Sequence, residues 1–454
     1  MTDRIDPAAA GVVDVVYRCA AAWVGGEIRR DIDIYCAAGA ITAIEPAGGG
    51  IAGTVEVLPG LVIPGFADAH SHIFHRALRG RTHAGGGTFW TWRELMYELA
   101  DQLDPDTLRE LAFAAYLEQL CAGYTAVGEF HYLHHPPGGG RYADPNAMGL
   151  AIADAAADVG MGLTLLDIAY LAGGFDQPVN AVQQRFSDGS ATAWASRVAA
   201  LPAAIGVGVG IHSVRAVPIA QMPTVVAAAA GRVLHVHLSE QPAENADCLA
   251  ATGLTPTQLL AEAGAVGPRT AAVHATHLTD DDIGILGRAG ASVVICPTTE
   301  ADLADGLPAA ARLAAAGARL SLGGDQQVVV DPFVQARGLE YGERLAGGRR
   351  GVFTPQMLWS AALEQSHAAI DSPGGRLAVG APADFLAVRT DSPRTAGAGP
   401  EQLVMCATAQ DVEVVVVGGL VRARSGKHVQ HGDPGPLLAA AIQRAWGIDG
   451  SAGR

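Results

Sequence analysis

Four short segments hold residues that could bind a metal ion and move protons. They are His70-Ser71-His72, His237-Leu238-Ser239-Glu240, His274 within VHATHL, and Asp325 at the end of LSLGGD. Each closes an apolar run that reads as a strand. Side chains on a strand alternate faces, so His70 and His72 point the same way and offer a two-imidazole start to a metal site. His237 and Asp325 bring the set to three imidazoles and a carboxylate. These donors suit one divalent ion that keeps a position open for water, and the chemistry implied is hydrolysis. Solvated histidines near a turn are the competing reading of His-x-His, but the apolar strand before it and the matching donors downstream favour a metal. Asp325 alone would read as a turn residue in GGD; its place at the end of the last strand sets it among the ligands, where it can also accept a proton from water.

Glu240 lies three residues after His237, where the strand gives way to its loop. From there a carboxylate can reach over the metal without ligating it, as a general acid/base must. The alternative is a helix-start glutamate favoured by the macrodipole. In VHATHL, His274 sits inside the apolar run and is the active-site candidate, whereas His277 reads as a loop or helix-start residue. His235, two before His237, reads as a packed core histidine. Arg215 and His212 in HSVRAV are donors for an anionic substrate, since the guanidinium fork suits carboxylates. Tyr132 could supply a hydroxyl, and Arg93 follows an aromatic pair, Trp90 and Trp92, that could form a lid.

The elements that must position these residues alternate between short Val/Ile/Leu-rich runs and Ala-rich helical stretches from about residue 62 to 371. Eight strands are expected, over 61–70, 125–132, 161–170, 204–213, 232–240, 270–278, 291–299 and 319–325. Eight strand–helix units close into a (β/α)8 barrel, and the chemical candidates fall at the C-terminal strand ends, where such barrels place their sites. The flanks, 11–60 and 376–430, carry shorter β-like runs broken by glycines. The expected α/β fold is thus a TIM-type barrel over 63–371 with a small β-sandwich assembled from residues 1–62 and 372–454, the latter ending in an Ala-rich helix.

Composition excludes several functions. A net charge of −16 argues against nucleic acid, and an anionic substrate would need locally placed arginines. No apolar run reaches the length of a membrane span, and the N-terminus shows no secretory pattern. Six scattered cysteines without a C-x-x-C pair suit buried thiols in a reducing, cytoplasmic setting. The sole lysine, Lys427, lies beyond every ligand candidate. A binuclear centre bridged by a carboxylated mid-barrel lysine is therefore excluded, and Schiff-base chemistry has no suitable residue.

The whole chain resembles the amidohydrolase superfamily in PGFADAHSH, HLSE, the sixth-strand His and the eighth-strand Asp. The segments TFWTWRELMY (88–97), EFHYLHH (129–135), HSVRAV (212–217), CPTTEADLADG (296–306) and LEYGERL (339–345) narrow the resemblance to the formimidoylglutamate deiminases. The resemblance implies that His70, His72, His237 and Asp325 bind one divalent metal, with zinc the expected ion, and that Tyr132, His212 and Arg215 bind the glutamate part. The chain departs from that pattern at His75, where the family usually has Gln, and at Gln326-Gln327, where it commonly has Ser-His. Both departures lie near the expected pocket, so His75 joins Arg93 among the substrate-contact candidates.

The expectation is a hydrolase that converts N-formimidoyl-L-glutamate to N-formyl-L-glutamate and ammonia in histidine degradation. Glu240, His274 and Asp325 would be its catalytic residues and a small anionic molecule its partner. A homodimer is compatible with the sequence. A deaminase acting on a purine, pyrimidine or other heterocycle is the nearest rival, and a catalytically silent binding barrel is a distant one.

Overall fold

The computed structural model describes residues 14–49, 54–83 and 87–448. Its sixteen strands form two eight-stranded sheets. Strands β5 (Phe66–Ser71), β6 (Tyr124–His131), β7 (Gly162–Ala169), β8 (Gly206–Ile211), β9 (Leu234–Leu238), β10 (Thr270–His274), β11 (Ser292–Ile295) and β12 (Arg319–Leu322) pair in sequence order, all parallel. Helices between them cover the outside, as the alternation of apolar runs and Ala-rich stretches requires. Several helices stop at a glycine in the left-handed conformation, among them Gly123 and Gly160.

The barrel is closed by residues of the expected metal site. The Asp325 N–H donates to the His70 carbonyl at 2.8 Å, and the His72 N–H donates to the Asp325 carbonyl at 3.0 Å. Gly323 permits this approach, because a Cβ there would lie 2.9 Å from both the His70 Cβ and the Cys296 sulfur. The lower interior is filled by small side chains, including Ala67, Ala69, Ala126 and Ala271, packed with Ile370. His235 is among the buried residues of this end and bonds through Nε2 to the Ala369 carbonyl at 2.9 Å.

The second sheet is mixed and built from both flanks. It contains β1 (Val15–Val24), β2 (Glu27–Ala37), β3 (Ala40–Pro46) and β4 (Thr54–Pro64) from the N-terminal side, and β13 (Phe385–Val388), β14 (Val412–Val417), β15 (Leu420–Arg424) and β16 (Lys427–His428) from the other. The two halves join where β4 pairs antiparallel with β13. The terminal helix Pro434–Ala445 packs on the helix Pro105–Ala122.

The run 61–70, expected as one strand, is divided between the sheets. Residues up to Pro64 belong to β4, and β5 begins at Phe66. Gly65 makes the break: its N–H donates to the Asp384 carbonyl, and its own carbonyl accepts from His367 Nε2. A Cβ at this position would collide with the Thr125 side chain at 2.1 Å.

A buried polar network fastens the loop after β6. Arg197 forms a bidentate pair with Asp167 at 2.7 and 2.8 Å and also meets Asp188. Asp188 Oδ1 lies 3.1 Å from His135 Nε2, and His134 Nε2 bonds to the Ile168 carbonyl at 2.9 Å. Fully buried Arg185 donates to the carbonyls of His135, Ala100 and Leu103. The histidines at the end of EFHYLHH thus hold the loop that begins at Tyr132.

Candidate active site

The Nε2 atoms of three imidazoles converge at the mouth of the barrel. His237 Nε2 lies 3.1 Å from His70 Nε2 and 3.3 Å from His72 Nε2. The Nδ1–H of His72 donates to the Phe130 carbonyl at 3.1 Å, and that of His237 to the His212 carbonyl at 2.9 Å. Carbonyls only accept, so these two rings carry their proton on Nδ1 and present bare lone pairs at Nε2. Burial, reinforced by the neighbouring rings, holds all three imidazoles neutral, far below their ordinary range. Asp325 Oδ1 stands 3.5 and 3.4 Å from the Nε2 atoms of His70 and His72. Facing lone pairs repel one another and a carboxylate; a divalent cation among them removes the conflict, so these residues fit a metal. His70 is fully buried and its Nδ1 has no hydrogen-bond partner among the described residues.

His274, Cys296 and Asp325 form a second buried group with metal-capable atoms, adjoining the first through Asp325. Burial among carboxylates keeps the Cys296 sulfur a thiol. His274 Nδ1 lies 3.3 Å from Glu300 Oε1, and its Nε2 lies 3.7 Å from both Glu240 Oε1 and Asp325 Oδ2. Burial opposes charge on this ring, but Glu240, the Glu300 hydrogen bond and Asp325 outweigh it and raise the imidazole to about 10. Burial likewise pushes the Asp325 carboxyl up to about 7, against the pull of His274. A cation beside Asp325 would act to keep it ionised.

These strand ends carry backbone strain. Ser239, His274, Ala275 and Asp325 all have positive φ, between 50° and 66°. Such conformations are costly for residues with a Cβ and persist only where surrounding bonds enforce them. Here the Ala275 N–H donates to the Leu238 carbonyl and the His277 N–H to the Ser239 carbonyl. The turns redirect His274 and Glu240 over the mouth, and His277 faces away to the Asp305 carbonyl at 2.7 Å.

A pocket opens above the three imidazoles, lined by His75, Arg93, Tyr132, His212, Arg215, Glu240, His274 and Asp325 among others. Most residues picked out from sequence as chemical or binding candidates therefore line one pocket, and His70 joins them through His237. Arg215 pairs through Nε with Glu244 Oε2 at 3.5 Å. Arg93 donates to the Tyr97 hydroxyl at 2.8 and 2.6 Å, and Gln183 bridges Tyr97 and Tyr170. Trp92 is buried against the His75 ring; the Trp90 side chain, its expected companion in a lid, lies outside the described residues. His212 contributes to the pocket through its ring and to the imidazole cluster through its carbonyl.

Sequence reasoning passed over several residues that complete this arrangement. Glu300 is one; the CPTTE segment had been noted, but nothing marked its Glu as the partner of a histidine 26 residues away. Glu244, buried beside Arg215 in the first turn of the helix Pro242–Thr252, is another. Glu129, fully buried, accepts from the Ser71 hydroxyl at 2.7 Å and the Ile73 N–H at 2.8 Å, on either side of His72.

Residues 61–422 match the amidohydrolase family. The chain is 39% identical over 393 residues to a formimidoylglutamate deiminase of Pseudomonas aeruginosa, covering 82% of this chain and 87% of that protein. An 8-oxoguanine deaminase of the same organism is 28% identical, with 81% and 83% covered. The structure superposes on that of an amidohydrolase from Brucella melitensis with a TM-score of 0.87 and 31% identity, covering 96% and 99% of the two chains. A zinc-containing adenosine deaminase structure from Xanthomonas campestris shares the fold at a TM-score of 0.82 and 21% identity, covering 96% and 98%. With its imidazole cluster, eight-stranded barrel and near-complete alignment to these proteins, the chain belongs to the amidohydrolase family, in the group of the formimidoylglutamate deiminases, and is a hydrolase acting on C–N bonds.

Proposed function

We propose that this enzyme hydrolyses the formimidoyl group of N-formimidoyl-L-glutamate, giving N-formyl-L-glutamate and ammonia, a step of histidine degradation. One observation carries the reading: two guanidinium groups, Arg93 and Arg215, line the same pocket as His72, His237 and Asp325. A substrate with an amidine at one end and carboxylates at the other matches that polarity. The 39% identical Pseudomonas aeruginosa relative supports the same substrate.

His70, His72, His237 and Asp325 would hold one divalent ion, and zinc suits an imidazole–carboxylate set. Once bound there, the ion supplies Lewis acidity that brings the pKa of a water toward about 7. Asp325 would take a proton from the attacking water; its Oδ1 lies by His70 and His72, and its Oδ2 lies 3.7 Å from His274 Nε2. Oxygen adds to the formimidoyl carbon and makes it tetrahedral. With the substrate as its amidinium, Glu240, beside His274 at the pocket wall, would carry the proton given up by the water to the terminal nitrogen of the adduct; the C–N bond breaks, ammonia leaves, and the added hydroxyl returns its proton to Asp325 as the formyl C=O forms. His274 is oriented by Glu300 on one nitrogen and directs the other at the reacting centre.

The test is ammonia release from a panel containing N-formimidoyl-L-glutamate, an uncharged formimidoyl amine, and amino-purines and amino-pyrimidines. The reading expects the highest kcat/KM for formimidoylglutamate. Turnover confined to the heterocycles would replace it with the ring-deaminase reading.

A further inference from the structure

We propose that His75 is a positioning residue that fixes the hydrogen-bond polarity of Tyr132, so that the Tyr132 hydroxyl donates into the pocket and selects a substrate atom that accepts there. The inference rests on reading this pocket as the site of an anionic amidine and concerns what that pocket discriminates.

The argument follows the protons. His75 Nε2 lies 3.1 Å from the Tyr132 oxygen, and both residues are buried in the pocket wall. One proton joins them, and either partner could supply it. The Tyr132 oxygen also lies 3.7 Å from Met96 Sδ. A thioether has no hydrogen to give, so in that contact Tyr132 is the donor. A phenol has a single proton; if it goes toward Met96, His75 must donate the other bond from Nε2–H.

The second ring nitrogen agrees. His75 Nδ1 is buried and has no hydrogen-bond partner among the described residues, and no carboxylate there forms an ion pair with His75. A ring protonated on Nδ1 would bury an N–H without an acceptor, costlier than leaving a lone pair unused. A doubly protonated ring would do the same and bury an uncompensated charge. The neutral Nε2–H form alone buries neither an unpaired N–H nor an uncompensated charge.

The Tyr132 proton therefore rests on a weak sulfur acceptor in the free enzyme. A carboxylate or carbonyl oxygen of the substrate makes a much stronger acceptor and displaces Met96. A substrate offering an N–H at that point would meet an oxygen already engaged by His75 and a proton directed at itself. Glutamine could hold Tyr132 in the same sense through its side-chain N–H, whereas an apolar residue could not.

Two measurements on the metal-loaded enzyme test this. In ¹⁵N-histidine NMR, with the His75 signals assigned by their loss in His75→Gln, the proton is expected on Nε2 with Nδ1 bare; a proton on Nδ1 overturns the proposal. In kinetics with formimidoylglutamate, His75→Leu is expected to raise KM roughly tenfold with little change in kcat, the size of one hydrogen bond to an anion. His75→Gln should recover most of that loss, and Tyr132→Phe should match His75→Leu. Adding His75→Leu to Tyr132→Phe should cost nothing further. Multiplying effects, or a loss confined to kcat, would reject the positioning role. Absence of any turnover of formimidoylglutamate would instead sink the proposed function, and the NMR result would still decide the tautomer.

Discussion

The Arg215 guanidinium meets the Glu244 carboxylate through Nε, at 3.5 Å, and its terminal nitrogens make no hydrogen bond to protein among the described residues. Glu244 is buried and is itself held by the Ser239 N–H at 3.0 Å, so the pocket-lining arginine is anchored along its Nε edge. That geometry suits a bidentate contact with a carboxylate.

Arg215→Met should leave a substrate carboxylate unpaired in a desolvated pocket, at a cost of about 2–5 kcal/mol. The loss should fall mainly on KM where the contact is equal in ground and transition states. Formimidoylglutamate should suffer far more than an uncharged formimidoyl amine. Equal damage to both in steady-state assays would make Arg215 a structural residue.

Glu240→Gln should retain the metal and lose on the order of 10²-fold or more in kcat, because the amide cannot shuttle a proton. Elemental analysis and turnover of the same preparation decide the matter. Loss of metal from this variant would place Glu240 among the ligands instead.

Elemental analysis should find about one divalent ion per chain, since the sole lysine, Lys427, lies far along the chain from the ligands and four donors fill one site. Removing it with a chelator should abolish ammonia release, and zinc should restore it. Two ions per chain at full occupancy would contradict this.

Arg197→Leu should cost roughly 3–5 kcal/mol of stability, because it leaves Asp167 and Asp188 buried without their partner. Burial pushes the Asp188 carboxyl up, but His135 and Arg197 together hold it well below the ordinary range. A depressed folded pKa means that its stabilisation is fully present above about pH 4, the unfolded value, and fades as pH falls toward the folded one. The stability gap between the parent and Asp188→Asn, measured by urea unfolding, should therefore narrow in acid. A gap that widens there would reverse the assignment.

The imidazoles and Asp325 were legible because each stands at the end of an apolar run, where strand alternation and barrel geometry leave few directions to point. Partners that act across space were not. Glu300 reaches His274 from the turn of a different strand–helix unit, and Glu244 reaches Arg215 from a helix whose first turn commonly carries a glutamate. Gln183 joins two tyrosines from a short helical turn between β7 and β8. The division of 61–70 was hidden for the same reason: β-like residues continue through Gly65, and only its bonds to Asp384 and His367 show where one sheet ends.

The seam between β5 and the end of β12 gives the site a place in time as well as in space. Gly324, whose N–H donates to Asp68, follows it by 256 residues, and the neighbouring Asp325 supplies both backbone bonds that join the last strand to the first. On a ribosome, His70 and His72 emerge long before Asp325, the carboxylate of the proposed set. A chain released before β12 would carry three imidazoles and no means of closing the ring. Closure of the fold would thus complete the proposed ligand set in the same event, and a nascent or truncated chain would have no finished centre with which to act.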